Sequence, residues 1–179
     1  MKKLVYFVLA AVLLVNAGCE DDNIFMQLID PPAKVLPPAT QTGANTFGCK
    51  VNGRVWLPSE TAWVEFRQGA LNIRAKNKWD KNTAVVLNIG DFTISGTGTY
   101  QISGNTPYYS RGYYSRENKT GGYDRFQTDD INTGTIIITR IDTNQLHYIV
   151  SGVFSFKARD EITGEIIEIS EGRFDLRKY

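Results

Sequence analysis

The chain has 179 residues, of which 42% are apolar and 22% are charged, a balance typical of one globular domain with a substantial core. Its 20 basic and 19 acidic side chains give a formal charge of +1, which excludes the strongly basic footprint of a nucleic-acid-binding protein. The 16 glycines and the 12% of aromatic residues favour strands and tight turns over helices.

The first element in the chain is an N-terminal apolar segment. Lys2 and Lys3 precede an uninterrupted apolar run over residues 4–15, and small or short residues follow it at positions 16–18. A helix of about 12 residues rises only about 18 Å, which is too short to cross a hydrocarbon core of about 30 Å. The pattern therefore predicts a cleaved secretory signal over residues 1–18.

The end of that segment resembles a known processing site. Val15-Asn16-Ala17-Gly18-Cys19 resembles the lipobox of bacterial lipoproteins, with Asn16 at a position that usually holds an apolar residue. The resemblance implies that the Cys19 thiol receives a diacylglycerol and that this lipid holds the chain on the outer membrane. The following Glu20-Asp21-Asp22 is similar to the acidic signal that sends lipoproteins of Bacteroidota to the outer face of that membrane. If these acids are only linker charge, the periplasmic face remains the alternative.

Residues 19–45 are predicted to form a lipid-anchored, proline-rich linker, and residues 46–179 a single domain. Four of the six prolines lie in this linker, which favours extended geometry over a helix or a central strand. If Cys19 carries lipid, Cys49 has no partner for a disulfide within the chain. Because Cys49 alternates with Phe47 and Val51, it is interpreted as a small buried hydrophobic residue.

The domain is predicted to consist of strands throughout. Asn52-Gly53 lies between two alternating runs and predicts a β-hairpin. In the clearest strand, residues 146–158, the even positions are mostly apolar and Gly152 predicts a bulge or bend. Trp56 and Trp63 lie in alternating segments and are predicted to be core residues. Short consecutive strands joined by tight turns predict an all-β fold, a single antiparallel β-sandwich or β-barrel of about nine to ten strands.

The two ends of this domain carry a second resemblance. Residues 36–43 (LPPATQTG) and 46–56 (TFGCKVNGRVW) resemble the opening of an uncharacterised lipoprotein family of Bacteroidota. Residues 152–156 (GVFSF) and 171–175 (EGRFD) resemble the end of the same family, so that the resemblance spans most of residues 36–176. The family is one of unknown function, and it implies a compartment but no catalytic residue.

The most unusual feature of the folded part is a tyrosine-rich repeat over residues 108–116, in which YYSRG is followed by YYSR. A polar, glycine-rich segment of this kind is not expected to be fully buried. Exposed tyrosines and arginines can stack on sugar faces or anchor a protein partner. The alternative is an edge hairpin whose rings cover an apolar patch. With Trp79, which lies in a polar turn, the predicted ligand-binding residues are Tyr108, Tyr109, Arg111, Tyr113, Tyr114, Arg116 and Trp79.

The sequence shows no constellation for metal binding or catalysis. Asp124, Asp129, Asp130 and Asn132 crowd one loop, but their spacing does not match an EF-hand calcium loop, and such clusters are common in turns. His147 is the one histidine of the chain, and no G-x-S-x-G motif precedes it. We therefore predict no metal site, no cofactor and no catalytic residue.

Together these observations favour a non-enzymatic lipoprotein of the outer membrane that faces the cell exterior and binds a glycan or an envelope protein. The first alternative is a lipocalin-like carrier of a small apolar ligand, which requires an internal cavity. The second is a glycan-active hydrolase, which requires carboxylates that converge in a cleft.

Overall fold

A computed structural model describes residues 34–90, 93–104, 110–144 and 147–178 of the chain. The predicted signal segment, Cys19 with the first part of the predicted linker, and Tyr108 and Tyr109 lie outside these residues. Within the described ranges all regular structure is β-strand, which confirms the all-β prediction. The same ranges hold no helix that is long and apolar enough to span a membrane.

Eleven antiparallel strands form one sheet in the described part of the chain, against about nine to ten expected. The tyrosine-rich repeat contributes to a hairpin that lies inside this sheet, not at its edge. The strands are β1 (Thr46–Val51), β2 (Arg54–Trp56), β3 (Trp63–Arg67), β4 (Ala70–Asn77), β5 (Thr83–Ile89), β6 (Gly98–Ile102), β7 (Arg111–Glu117), β8 (Tyr123–Gln127), β9 (Gly134–Asn144), β10 (His147–Asp160) and β11 (Ile166–Lys178).

The sheet is organised around the long strand β10. One edge of β10 pairs with β11, and its other edge pairs first with β9 and then, at residues 159–160, with β8. From β8 the sheet continues through β7, β5 and β4 to β3, and from β11 through β1 to β2, while β6 pairs with β9. The sheet curls into a half-barrel. In the curled sheet β3 approaches β10, where the Tyr148 hydroxyl accepts a hydrogen bond from Phe66 N and donates one to Val64 O, both at 3.0 Å.

Strand β10 follows the predicted alternation closely. Its even positions from Val150 to Ala158 are buried, and its register with β9 shifts between Ser151 and Gly152, where the sequence predicts a bulge. Ser151 departs from the pattern, because it is fully buried although it lies at an odd position. The reason is a charged partner, Asp175, whose surroundings are described below.

Aromatic rings fill the centre of the core. The rings of Phe47, Phe156 and Phe174 each lie 5.4–6.3 Å from the ring of Phe154, measured between centroids. Glycine gives these rings space on neighbouring strands: a Cβ atom added at Gly172 would lie 2.6 Å from the Phe154 ring. The core face of the curled sheet is therefore packed with side chains that contact one another.

Cys49 lies within this core with no exposed surface, and its thiol is free. Burial raises the pKa of Cys49 to about 12, so the thiol stays protonated at neutral pH. This confirms that Cys49 serves as a small buried hydrophobic residue.

The two tryptophans predicted to be core residues differ. Trp56 is 4% exposed, and its indole Nε1 donates to Thr83 Oγ1 at 2.8 Å, which confirms the prediction. Trp63 is 50% exposed, and that prediction is wrong. Val64 occupies the core face of β3, and strand alternation turns Trp63 outward, where Lys178 Nζ lies 5.8 Å from its ring centroid.

Candidate functional site

The face of the sheet opposite the core carries a row of positions in register across four strands. Lys76 on β4 pairs with Ala84 on β5, Ala84 pairs with Ser115 on β7, and Ser115 pairs with Arg125 on β8. Side chains in register on neighbouring strands point to the same face. Two small residues therefore lie between two long cationic ones.

Aromatic residues and a third cation flank this row. Arg74 lies two residues before Lys76 on β4, and Tyr113 lies two residues before Ser115 on β7. At the other side of the row is Tyr123, which is 47% exposed and lies at the start of β8. Asn82, in the turn between β4 and β5, donates a hydrogen bond to the Tyr123 hydroxyl. This contact restrains the ring at the edge of the row.

These residues surround a half-open cleft of about 430 Å³ on the outer face of the sheet, which we name the β4–β8 cleft. Its volume lies in the range of small-molecule sites, about 300–1,000 Å³. Small side chains at Ala84 and Ser115 leave the space, because larger side chains at these central positions would fill it. The cleft is lined by Arg74, Lys76, Asn82, Ala84, Tyr113, Tyr114, Ser115, Tyr123, Arg125 and Phe126.

The charge in the β4–β8 cleft is positive and uncompensated. The lining contains three cations, Arg74, Lys76 and Arg125, and no carboxylate, histidine or cysteine. Within the described residues, none of these three cations has a carboxylate within 4.0 Å, since the ion pairs there are formed by other basic residues. The groups the cleft offers are hydroxyls, an amide, aromatic rings and cations, which suit binding better than acid–base chemistry.

Only part of the predicted tyrosine-rich site belongs to this cleft. Tyr113 and Tyr114 both line the cleft, but Tyr114 is 7% exposed and its ring lies in the core, 5.9 Å from that of Phe126. Burial, followed by the nearby charge of Asp80, raises the pKa of Tyr114 to about 12. Tyr108 and Tyr109 lie outside the described residues. Alternation along β7 thus separates neighbours that the sequence analysis groups together.

The two predicted arginines serve local structure. Arg116 forms a two-pronged ion pair with Glu165 (3.1 and 2.7 Å), pairs with Asp124 at 3.0 Å and lies over the Phe126 ring. Its hydrogen bonds to Glu165 and Asp124 raise the pKa of Arg116 above its ordinary value. Arg111 donates to Gln127 Oε1 at 3.3 Å and to the carbonyl of Gly104 at 3.4 Å. Neither side chain lines the β4–β8 cleft.

Trp79 is exposed, as expected for a residue in a polar turn, with 87% of its surface accessible. Its backbone N–H donates to Asn77 Oδ1 in the turn between β4 and β5. The residue does not line the β4–β8 cleft, although Asn82 from the same turn does.

Eight of the ten lining residues are absent from the predicted site, among them Arg74, Lys76, Tyr123 and Arg125 on β4 and β8. Their alternation with buried neighbours in β4 and β8 indicates an exposed face, and this signal is visible in the sequence. The sequence does not show that β4, β5, β7 and β8 lie side by side, because pairing between distant segments leaves no local pattern.

The acidic loop that was considered for calcium has other roles. Asp129 accepts hydrogen bonds from the backbone N–H groups of Ile131 and Asn132, which lower the pKa of its carboxyl below the ordinary value. Asp124 accepts from Arg116 and Asn118. Within the described residues, no three acidic, histidine or cysteine groups are placed to hold a metal ion.

A second charged region, which we name the Asp175 pocket, has the opposite character to the cleft. Asp175 on β11 is fully buried, and its carboxylate accepts hydrogen bonds from Ser151 Oγ (2.7 Å), Thr40 Oγ1 (2.7 Å) and Thr42 Oγ1 (3.3 Å). It also accepts from the backbone N–H groups of residues 42, 43 and 44 at 2.8–3.1 Å. These contacts hold the segment before β1 against β11 and β10.

Hydrogen bonding decides the ionisation of the Asp175 pocket. Burial alone raises the pKa of a carboxyl, but the donors from Ser151, Thr40, Ala44 and Thr42 outweigh burial and hold the pKa of Asp175 far below its ordinary value. The carboxylate is therefore charged at neutral pH, and its lone pairs are occupied by the protein itself. The pocket builds structure and offers nothing to a ligand.

Comparison with known proteins identifies the family but no function. A search among curated proteins and a search among solved structures both gave no match. The family model described as "Domain of unknown function (DUF6252)" matches residues 44–175, which is most of the chain. The chain therefore belongs to the DUF6252 family, whose function is unknown.

Proposed function

We propose that this chain is a non-enzymatic binding module, held at the outer membrane by a lipid on Cys19 with its domain facing the cell exterior, and that its ligand is a glycan. The observation that carries the glycan assignment is the β4–β8 cleft, in which Tyr113 and Tyr123 flank a floor of small residues. The lipid anchor rests on the lipobox resemblance at residues 15–19.

The groups of the cleft match the chemistry of a sugar. A pyranose ring has C–H faces that pack on aromatic rings and hydroxyls that exchange hydrogen bonds with polar side chains. Tyr113 and Tyr123 supply two rings, and Asn82 and Ser115 supply an amide and a hydroxyl. The small side chain of Ala84 lets a ring approach the sheet closely.

The size of the cleft favours a glycan over a protein partner. A stable protein interface buries about 800 Å² on each side and is usually centred on desolvated apolar anchors. The β4–β8 cleft is a local depression of about 430 Å³, and cationic side chains surround its floor. This shape suits a saccharide segment better than a flat protein surface.

The two alternatives find less support. A lipocalin-like carrier needs space inside the curled sheet, but the core face there is packed with rings such as those of Phe154 and Phe174. A hydrolase needs carboxylates at the ligand, but the cleft is lined by none, and Asp124 and Glu165 are engaged by Arg116 outside it.

The glycan assignment is tested with a glycan array followed by titration calorimetry of the best ligand. Tyr113→Ala and Tyr123→Ala should each weaken binding about tenfold or more, because each removes a stacking surface. Trp79→Ala is the control, since it removes a more exposed ring outside the cleft and should leave the affinity unchanged. Binding that survives both tyrosine changes but is lost with Trp79→Ala would contradict the assignment.

The anchor is tested by labelling cells with a radioactive fatty acid. The wild-type chain and Cys49→Ala should incorporate the label, and Cys19→Ala should not. Antibody against the domain should bind intact cells that produce the wild-type chain. Equal labelling of Cys19→Ala would refute lipid attachment at this residue, and antibody binding only after the outer membrane is opened would place the domain on the periplasmic face.

A further inference from the structure

The three cations of the β4–β8 cleft are grouped on one face of the sheet without carboxylate partners. Some other basic side chains, such as Lys50, Arg116 and Arg140, have carboxylate partners at 2.5–3.0 Å. In the cleft, Arg74 and Arg125 are exposed and Lys76 is half-buried, and among the described residues no carboxylate lies within ion-pairing distance of them. Repulsion between neighbouring cations lowers the stability of the fold slightly. An acidic ligand bound between these cations would offset that repulsion.

The net charge of the domain also favours an acidic ligand. Residues 34–179 carry 18 basic and 15 acidic side chains, a difference of +3, whereas residues 19–33 carry four acidic side chains and no basic one. On the outer face, the acidic residues next to the cleft in register are Glu65, which pairs with Asn72, and Glu117, which pairs with Tyr123, and neither lines the cleft. The lining of the cleft is therefore positive, and the domain around it carries a net positive charge.

We infer that the ligand of the β4–β8 cleft is an anionic saccharide whose carboxylate or sulfate groups are bound by Arg74, Lys76 and Arg125 while its rings pack on Tyr113 and Tyr123. This inference rests on the proposed glycan-binding function and names the class of glycan.

The spacing of the cations fits several acidic groups along a chain better than one small anion. Lys76 and Arg125 are separated by three strand spacings, a backbone distance of about 14 Å, and Arg74 lies about 7 Å along β4 from Lys76. Between the ends of the row, Ala84 and Ser115 leave room for a sugar ring. The cations at the two ends can then each bind an acidic group on a different sugar residue.

A single-stranded nucleic acid is also anionic and stacks on aromatic rings, but the cleft suits it less well. Binding along a nucleic-acid backbone uses a continuous positive groove that follows several phosphates. Here the positive surface is limited to three side chains around a depression of about 430 Å³.

The inference is tested by calorimetric titration of the full chain, isolated from cells in detergent, with three oligosaccharides of equal length. One is an oligogalacturonate, which carries carboxylates, the second is its methyl ester, which has the same sugar skeleton without charge, and the third is a sulfated oligosaccharide. At least one of the acidic compounds should bind about tenfold or more tightly than the methyl ester. Its affinity should fall as sodium chloride rises from about 50 to about 300 mM, while that of the ester should not. The comparison of carboxylate with sulfate identifies which acidic group is recognised.

Charge-removing variants assign the effect to the cleft. Lys76→Gln and Arg125→Gln should each weaken binding of the acidic compound about fivefold or more and leave binding of the methyl ester within about twofold. Lys157→Gln, an exposed lysine on β10 outside the cleft, is the matched control and should change neither. Unchanged thermal unfolding of each variant shows that the fold is intact.

The possible failures are distinguishable. If both tyrosine variants lose binding of all three compounds but the two glutamine variants bind as the wild type does, the inference is wrong and the proposed glycan-binding function stands. If none of these compounds binds and the glycan array shows no ligand that depends on Tyr113 and Tyr123, both are wrong. Tighter binding of a single-stranded oligonucleotide than of either acidic saccharide would also overturn the inference.

Discussion

The Asp175 pocket and the β4–β8 cleft place charge in the same small domain in opposite ways. In the pocket, one fully buried carboxylate receives hydrogen bonds from two stretches of chain that are far apart in sequence. In the cleft, three cations lie on an open face, and no carboxylate lines it. A charge whose partners all come from the protein stabilises the fold, whereas the grouped cations of the cleft carry the proposal of an acidic ligand. The two regions should therefore respond to mutation in opposite ways, the pocket in stability and the cleft in binding.

Asp175→Asn should produce the largest loss of stability. The amide would present N–H donors to backbone N–H donors in a buried pocket, and the lost charge-assisted hydrogen bonds should cost about 3 kcal/mol. Urea unfolding followed by circular dichroism measures this free energy. Glu168→Gln, an exposed change on the same strand, is the control and should fall within about 0.5 kcal/mol of wild type. A loss for Asp175→Asn no larger than that of the control would show that the pocket does not hold the fold together.

The stability difference between wild type and Asp175→Asn should depend on pH. Because the pKa of Asp175 is lower in the folded state than in the unfolded chain, where it is about 3.9, its contribution is fully present above that value. The contribution is lost progressively as the pH falls below about 4 toward the folded-state pKa. Urea unfolding of both proteins should give a smaller difference at pH 2.5 than at pH 6. A difference that grows as the pH falls would contradict the assigned direction of the shift.

Ser151→Ala should have an intermediate effect on stability. It removes one hydrogen bond of 2.7 Å to the buried carboxylate while the other donors remain, so a loss of about 1.5 kcal/mol is expected. The measurement is again urea unfolding, and Ser155→Ala, an exposed serine on the same strand, is the control. Equal stabilities of the two variants would mean that Ser151 does not contribute to the Asp175 pocket.

Arg74→Gln should have the smallest effect on stability. Its guanidinium lies on the open face, and its removal relieves repulsion from neighbouring cations, so the free energy of unfolding should stay within about 0.5 kcal/mol of wild type or rise slightly. Binding of the acidic oligosaccharide should weaken in the same variant. A destabilisation as large as that of Ser151→Ala would show that Arg74 serves the fold, and the comparison between the two regions would fail at this residue.

The sequence predicts the individual strands and turns of this fold better than it predicts which strands pair with one another. The hairpin at Asn52-Gly53, the burial of Cys49 and the bulge at Gly152 follow from alternation and turn chemistry, and the structure confirms all three. Trp63 is large and apolar, which favours burial, but the alternation set by Val64 and Phe66 places it on the outer face. The alternation was the better guide.

The candidate site and the Asp175 pocket depend on contacts that local patterns do not encode. Lys76 and Arg125 share one face of the sheet with β5 and β7 between them, and the hydrogen bond from Thr40 to Asp175 joins residues 135 positions apart. The tyrosine-rich repeat contributes Tyr113 and Ser115 to the cleft. Because β7 alternates, the Tyr114 ring lies in the core, while Arg111 and Arg116 make local hydrogen bonds and ion pairs. Composition can mark a segment, but only strand pairing decides which side chains share a face.

An NMR titration of the isotopically labelled chain with the acidic oligosaccharide that binds best would locate the binding site directly. The largest shifts in backbone amide resonances should fall on β4, β5, β7 and β8, at Lys76, Ala84, Ser115 and Arg125, and the amides around Asp175 should not shift. Shifts confined to the Trp79 turn or to the strands around Asp175, with the four cleft residues unaffected, would contradict binding in the β4–β8 cleft.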